Sequence, residues 1–179
     1  MLKLQKICTL LILLSLISCD DKAAKPAASA QSFPQFDSFQ ASSEIDQLKA
    51  KLAVNPNDFE TLSALGDSYF ESSQYLEAIQ IYDQALVVNP MCADCLNDRG
   101  LAKFYMGDAQ SALESFDRAI AIEPGYAHVW LSKGFVLVSV GRYQEAIPVL
   151  NKVKEVDTSG RLTSEADKFL ALAVEKNYQ

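Results

Sequence analysis

The sequence predicts an all-α fold, a helical-repeat solenoid of three helix pairs flanked by a single helix at each end. Three observations predict it. A 34-residue period runs through five columns of residues. Apolar residues between the columns fall at helical spacing. Gly, Ser and Pro mark the places where helices must turn or stop. The composition agrees: among 179 residues, seven Gly and six Pro are too few for a collagen-like or linker-dominated chain. The balance of 16 Lys+Arg against 23 Asp+Glu argues against nucleic-acid binding, which needs clustered cations.

The first element is an address. Lys3 and Lys6 precede an apolar run from Ile7 to Ile17, followed by Ser18-Cys19-Asp20. The run has the length of a secretory signal core and is too short to span a bilayer. Leu16-Ile17-Ser18-Cys19 resembles a bacterial lipobox, in which a small residue precedes a cysteine that is acylated before cleavage. The resemblance implies a signal peptide over 1–18 and lipidation at Cys19, the alternative being an ordinary signal peptide with a chance cysteine. Multiple acyl chains would anchor the chain firmly to a membrane. Asp20 leaves inner and outer membrane both open. The expected location is the bacterial cell envelope, with the repeats outside the cytoplasm.

Residues 19–43 are rich in Ala, Ser, Gln and Pro without helical or strand period, and are expected to form a flexible tether. Such a segment reaches about 25–30 Å. Phe33, Phe36 and Phe39 recur within it at every third residue. They fit either a lead-in that packs on the first helix or a short docking motif. Ser42 or Ser43 then opens an expected helix over 44–56, with Ile45, Leu48 and Leu52 on one face and a stop at Asn55-Pro56.

The repeats follow, expected at 57–92, 93–126 and 127–160. Gly66, Gly100 and Gly134 share one column, and Ala78, Ala112 and Ala146 another. Leu62, Leu96 and Trp130 make a third, Tyr82, Phe116 and Leu150 a fourth, and Pro56, Pro90 and Pro124 a fifth. Small residues are expected where two helices approach most closely, and large ones fill the space beside them. Ser72-Ser73, Gly107-Asp108 and Gly141-Arg142 mark the turn inside each pair. Pro148 lies beyond the first residues of its helix and is expected to bend it mildly. A last helix within 161–179 starts at Thr163 or Ser164. It carries Ala166, Phe169, Leu170, Ala173 and Val174 on one face, as a cap for the stack.

Leu62, Leu65-Gly66, Tyr69, Ala78, Tyr82, Ala85 and Pro90 together resemble the tetratricopeptide-repeat pattern. The resemblance covers about residues 57–160 and implies a right-handed solenoid. Units two and three depart from it at Arg99 and Lys103, and at Lys133, Leu137, Val153 and Thr158. It also implies a concave groove lined by the first helix of each pair. By register, unit one supplies Glu60, Ser63, Asp67, Phe70 and Glu71. Unit two supplies Asp94, Asn97, Leu101, Phe104 and Tyr105, and unit three His128, Leu131, Phe135, Val138 and Ser139. None of these is Lys or Arg, whereas family members that grip a C-terminal carboxylate use cations there. The expected partner is therefore a protein segment with apolar anchors and some positive charge. Part of the set is expected to serve stacking between units.

Cys92-Ala-Asp-Cys95 is the one string that looks catalytic. It fits two packing cysteines, a local disulfide, or a redox or metal function. Zinc would need two more ligands, and His128 is the only histidine. A lone His without a partnering Asp, Ser or Cys motif does not make a catalytic site, and no phosphate loop or hydrolase motif is present. The chain is read as a non-enzyme with no cofactor, no metal and no small-molecule substrate. Its expected role is a membrane-anchored scaffold or adaptor in an envelope assembly. The alternatives are a thiol-disulfide or metal-handling protein using Cys92 and Cys95, or a homo-oligomer formed through an exposed edge.

Overall fold

The Gly and aromatic columns predict where pairs of helices touch, and the computed structural model shows why. It describes residues 36–177, with side chains from residue 43. Among the described residues eight helices follow one another: α1 (Phe36–Val54), α2 (Phe59–Glu71), α3 (Tyr75–Val88), α4 (Ala93–Tyr105), α5 (Ala109–Ile122), α6 (Ala127–Ser139), α7 (Tyr143–Val156) and α8 (Thr163–Asn177). There is no strand among the described residues. Short connections fold α2 on α3, α4 on α5 and α6 on α7, and each pair packs on the next.

Inside each pair the glycine is needed for contact distance. A Cβ on Gly66 would lie 2.5 Å from Tyr82 Cε1, one on Gly100 2.6 Å from Phe116 Cε1, and one on Gly134 2.3 Å from Leu150 Cδ2. Tyr82, Phe116 and Leu150 are fully buried and cannot retreat. Ala78, Ala112 and Ala146 are also fully buried. The turns share a second period-34 feature. Ser73, Gly107 and Gly141 have φ of 59°, 86° and 77°, the left-handed conformation. Unit one places a serine where the other two place glycine.

Arg99 and Lys133, which depart from the family pattern, join neighbouring units. Arg99 Nε lies 2.7 Å from Asp83, and Lys133 pairs with Asp117 in the same register one unit later. At the third junction the signs reverse: Lys154 on α7 lies 2.8 Å from Asp167 on α8.

Helix starts are fixed by side chains. Asp58 accepts from the Thr61 N–H at 3.0 Å, and Asp108 accepts from the Ser111 N–H at 3.0 Å. Asp157 does the most. Its carboxylate accepts from the N–H of Leu162 at 2.7 Å, Thr163 at 2.9 Å and Ser159 at 3.1 Å. Burial works against the charge, but the bonds from Ser159, Leu162 and Thr163 outweigh it and hold Asp157 down at about 2. A carboxylate thus organises the linker at Thr158, where the column of prolines ends.

Two expectations need correction, the bounds of the first helix and the apolar face of α8. The first helix opens at Phe36, eight residues ahead of 44, so the end of the expected tether is helical, and it closes at Val54. Pro148 lies, as expected, beyond the first residues of α7, and the helix runs on past it to Val156. The apolar face of α8 buries Ala166, Phe169 and Ala173 but leaves Val174 39% exposed. Cys19, Phe33 and the segment 1–35 lie outside the described residues.

Candidate binding groove

On each of α2, α4 and α6 the groove positions recur at i, i+3, i+7, i+10 and i+11, which places them along one helical face. The structure sorts the fifteen into two kinds. Phe70, Asn97, Leu101, Leu131, Phe135 and Val138 are buried. Ser63, Asp67, Asp94, Phe104, Tyr105 and His128 are half-buried, and Glu60, Glu71 and Ser139 are exposed.

The buried members are held by contact between successive units. Phe104 packs edge-on against Phe135 with ring centroids 5.4 Å apart, and Phe135 meets Phe169 of α8 at 5.5 Å. Tyr105 contacts Phe104 at 5.7 Å and Phe70 at 5.9 Å, and stacks on Tyr75 at 4.9 Å. An aromatic row therefore crosses from unit one to α8. Such pairs contribute about 0.5–1.5 kcal/mol each beyond burial. Burial, then the neighbouring Tyr75, pushes the Tyr105 hydroxyl up to about 12. Sequence reasoning missed Tyr75, which belongs to a second helix, and Phe169 as a member of the row. Phe169 had a signal: it lies 34 residues after Phe135. Helix α8 thus occupies the register of a fourth first helix.

The N-terminal half of the face is polar. The Tyr82 hydroxyl donates to Asp67 at 2.7 Å, and the Tyr126 hydroxyl donates to Asp94. Burial, then Asp98, Asp67 and Asp94, pushes Tyr82 well above the usual tyrosine range. Burial, then Asp94 and Asp98, does the same to Tyr126. All three carboxylates act on the Tyr82 hydroxyl, and Asp94 and Asp98 act on that of Tyr126. Asp98 is only 4% exposed, and its Oδ1 accepts from Asn97 Nδ2 at 3.1 Å. The spacing of Asp94 and Asp98, i and i+4, is the signal that could have pointed to this cluster. The cations of the same helix, Arg99 and Lys103, lie off this face, with Arg99 turned to Asp83 on α3.

Cys92 and Cys95 are joined by a disulfide. Cys92 is the N-cap of α4, and its Sγ accepts from the Cys95 N–H at 3.0 Å. The bond occupies the positions that Asp58 and Thr61 hold on α2. Cys95 is 1% exposed and lies 3.9 Å from Ser63 Oγ. Among the described residues no group of three His, Cys, Asp or Glu is arranged to hold a metal ion. No described helix is long and apolar enough to cross a membrane.

Two family profiles, each described as tetratricopeptide repeat, match residues 65–128 and 103–176. No curated protein sequence matches the chain. Among solved structures, a MamA protein is 26% identical, with a TM-score of 0.63 over 80% of this chain and 86% of its own. The TPR2B domain of yeast Sti1, solved as a complex with pHsp70, is 21% identical, with a TM-score of 0.64 over 66% of this chain and 97% of its own. The first repeat domain of Spaghetti (RPAP3), bound to the HSP90 peptide SRMEEVD, is also 21% identical. Its TM-score is 0.62 over 68% of this chain and 94% of its own.

Proposed function

The chain belongs to the tetratricopeptide-repeat family, and from that premise we propose that it is a non-enzymatic scaffold or adaptor that binds protein segments along the face of α2, α4 and α6. One observation carries this reading: an aromatic and apolar row crosses successive units on a face whose fifteen positions include no Lys or Arg. Apolar side chains that bridge units give a rigid wall, and the half-buried Phe104 and Tyr105 leave part of it open to a ligand. The solved relatives bound to chaperone material support a peptide as ligand class. An acidic peptide such as SRMEEVD is a poor fit here, because like charge would face Glu60, Asp67 and Asp94.

The setting we propose is a bacterial envelope assembly, with the chain lipid-anchored through Cys19. The order of charge, apolar run, small residue and cysteine supports the anchor. The Cys92–Cys95 disulfide fits an oxidising compartment. We assign that bond a structural role, since Cys95 is buried and Cys92 caps α4. Changing both cysteines to Ser should therefore leave partner capture intact.

Co-purification from detergent-solubilised membranes tests the groove. A Phe104→Ser, Tyr105→Ser variant should lose partners that a Gln84→Ala, Arg118→Ala variant on the second helices retains. Equal retention by both would refute the groove. Fatty-acid labelling tests the anchor, and a Cys19→Ala chain that still labels refutes it.

A further inference from the structure

The first turn of α4 touches three units at once. Cys95 Sγ lies 3.9 Å from Ser63 Oγ on α2. Asp94 accepts from the hydroxyl of Tyr126, the N-cap of α6. Tyr126 in turn lies against His128, with ring centroids 5.4 Å apart. Ser63, Asp94 and His128 are all inner-face positions, so the geometry of this turn bears on the polar end of the groove.

Each unit builds the same turn differently. In unit one Asp58 caps α2 by accepting from the backbone N–H and the hydroxyl of Thr61. In unit three the N-cap of α6 is Tyr126, whose hydroxyl goes to Asp94. In unit two the corresponding residues are Cys92 and Cys95, and the link is covalent. The repeat therefore folds this turn without a disulfide in its other two copies. A bond across a sequence separation of 3 also closes too short a loop to restrict the unfolded chain much. What the covalent link adds over the Asp58 cap is that it can be opened. The two sulfurs differ in access: Cys95 is 1% exposed, whereas Cys92 is half-buried and follows Met91, which is 65% exposed. An incoming thiolate reaches Cys92 first.

We propose that the Cys92–Cys95 disulfide is a reversible redox clamp on the first turn of α4, opened at Cys92 by a dithiol, and that opening weakens capture of protein segments. The second part rests on the groove reading above. One thiolate of the dithiol attacks Cys92 Sγ and forms a mixed disulfide. The Cys92–Cys95 bond breaks, and its electron pair leaves on Cys95, which takes up a proton. The second thiolate of the dithiol then attacks its partner sulfur in the mixed disulfide and releases Cys92. The protein gains two electrons and two protons, and the dithiol becomes a disulfide. Unbonded sulfurs need more room than a bonded pair. Cys95 is buried against Ser63 in a close-packed interior, so Cys92 gives way with the exposed Pro90-Met91 linker. The Cys95 N–H then loses the Cys92 Sγ acceptor that it meets at 3.0 Å. The turn frays, and its hold on Tyr126 through Asp94 loosens. Serine at both positions keeps a cap without the bond, so it preserves capture and removes the switch.

Hydrogen exchange of the full chain, read by mass spectrometry with and without dithiothreitol, tests the clamp. Peptide mapping separates Cys92 and Cys95 from Cys8 and Cys19. Reduction should speed amide exchange over residues 95–98 by about fivefold, the effect of losing an N-cap, and leave the Asp58-capped turn at 61–64 unchanged. Brief alkylation of the reduced chain should mark Cys92 about tenfold faster than Cys95. Capture of co-purifying proteins should fall about threefold or more on reduction. The Cys92→Ser, Cys95→Ser chain should show neither change. Unchanged exchange at 95–98, or a faster exchange that the serine variant shares, overturns the clamp. Faster exchange in the wild type with unchanged capture overturns its link to binding. Capture that fails in both redox states refutes the groove reading, and exchange then decides the clamp by itself.

Discussion

The two halves of the inner face share one backbone register and differ in chemistry. Along the column 67, 101, 135 and 169 the residues are Asp, Leu, Phe and Phe, and along 63, 97 and 131 they are Ser, Asn and Leu. In the N-terminal half, Asp67 and Asp94 stay half-buried among tyrosine hydroxyls. In the C-terminal half, Leu131 and Phe135 are buried by neighbouring units. The interior columns show no such gradient, because Gly66, Gly100 and Gly134 all meet a large buried side chain. The contacts between paired helices fix the repeat, and the inner face is left to vary. A column of residues can therefore report stability at one end of the stack and recognition at the other.

The largest test of this contrast is Phe135→Ala, expected to cost about 3–5 kcal/mol because it empties a buried contact with Phe104 and Phe169. The equivalent position in unit one should behave differently: Asp67→Asn keeps an acceptor for the Tyr82 hydroxyl and is expected to cost only about 1 kcal/mol. Urea denaturation of both measures the difference, and similar losses would break the comparison. Gly100→Ala is expected to cost about 1–3 kcal/mol, because its Cβ meets Phe116 at 2.6 Å. Gly66→Ala should cost a similar amount if the interior is uniform.

Asp157→Asn should destabilise by about 1–2 kcal/mol at neutral pH, at a partly exposed site. The sign with pH follows from its depressed value. Folded at about 2 against an ordinary 3.8, Asp157 contributes stability above pH 3.8 and loses it as pH falls towards 2. The wild-type midpoint in urea should thus drop over that window more than the midpoint of the variant. The smallest change is a gain. Ser73→Gly relieves a left-handed serine and should stabilise by about 0.5–1 kcal/mol, read as a small rise in Tm.

The helix pairs were legible because Gly, Ala, aromatic and Pro columns are local demands of helix packing, repeated three times. The start of α1 at Phe36 was not, since Ala, Ser and Gln around Phe36 and Phe39 show no amphipathic period. The inner-face positions could be named from register, but their burial could not. Phe135 is buried because Phe104 and Phe169 close on it from both sides, which depends on how units rotate against one another. A spacing of 34 carries no information about that rotation. Arg99 and Lys133 were visible only as departures from a pattern, and their partners Asp83 and Asp117 lie on the preceding helix of the stack. Tyr75 and Asp98 escaped for the same reason.

The change of sign at the last junction marks α8 as the end of the stack. Helices α4 and α6 each bring a cation to an aspartate, whereas α8 brings Asp167 to Lys154. Were α8 to dock where α6 sits, Asp167 would face Asp117, and on α3 it would face Asp83. Were α6 to dock against α7, Lys133 would approach Lys154. Each of these misplacements sets like charge against like at the seam, so the last helix carries a spelling as well as a shape. Asp167 acts as its full stop, a mark that fits after α7 and nowhere earlier in the chain.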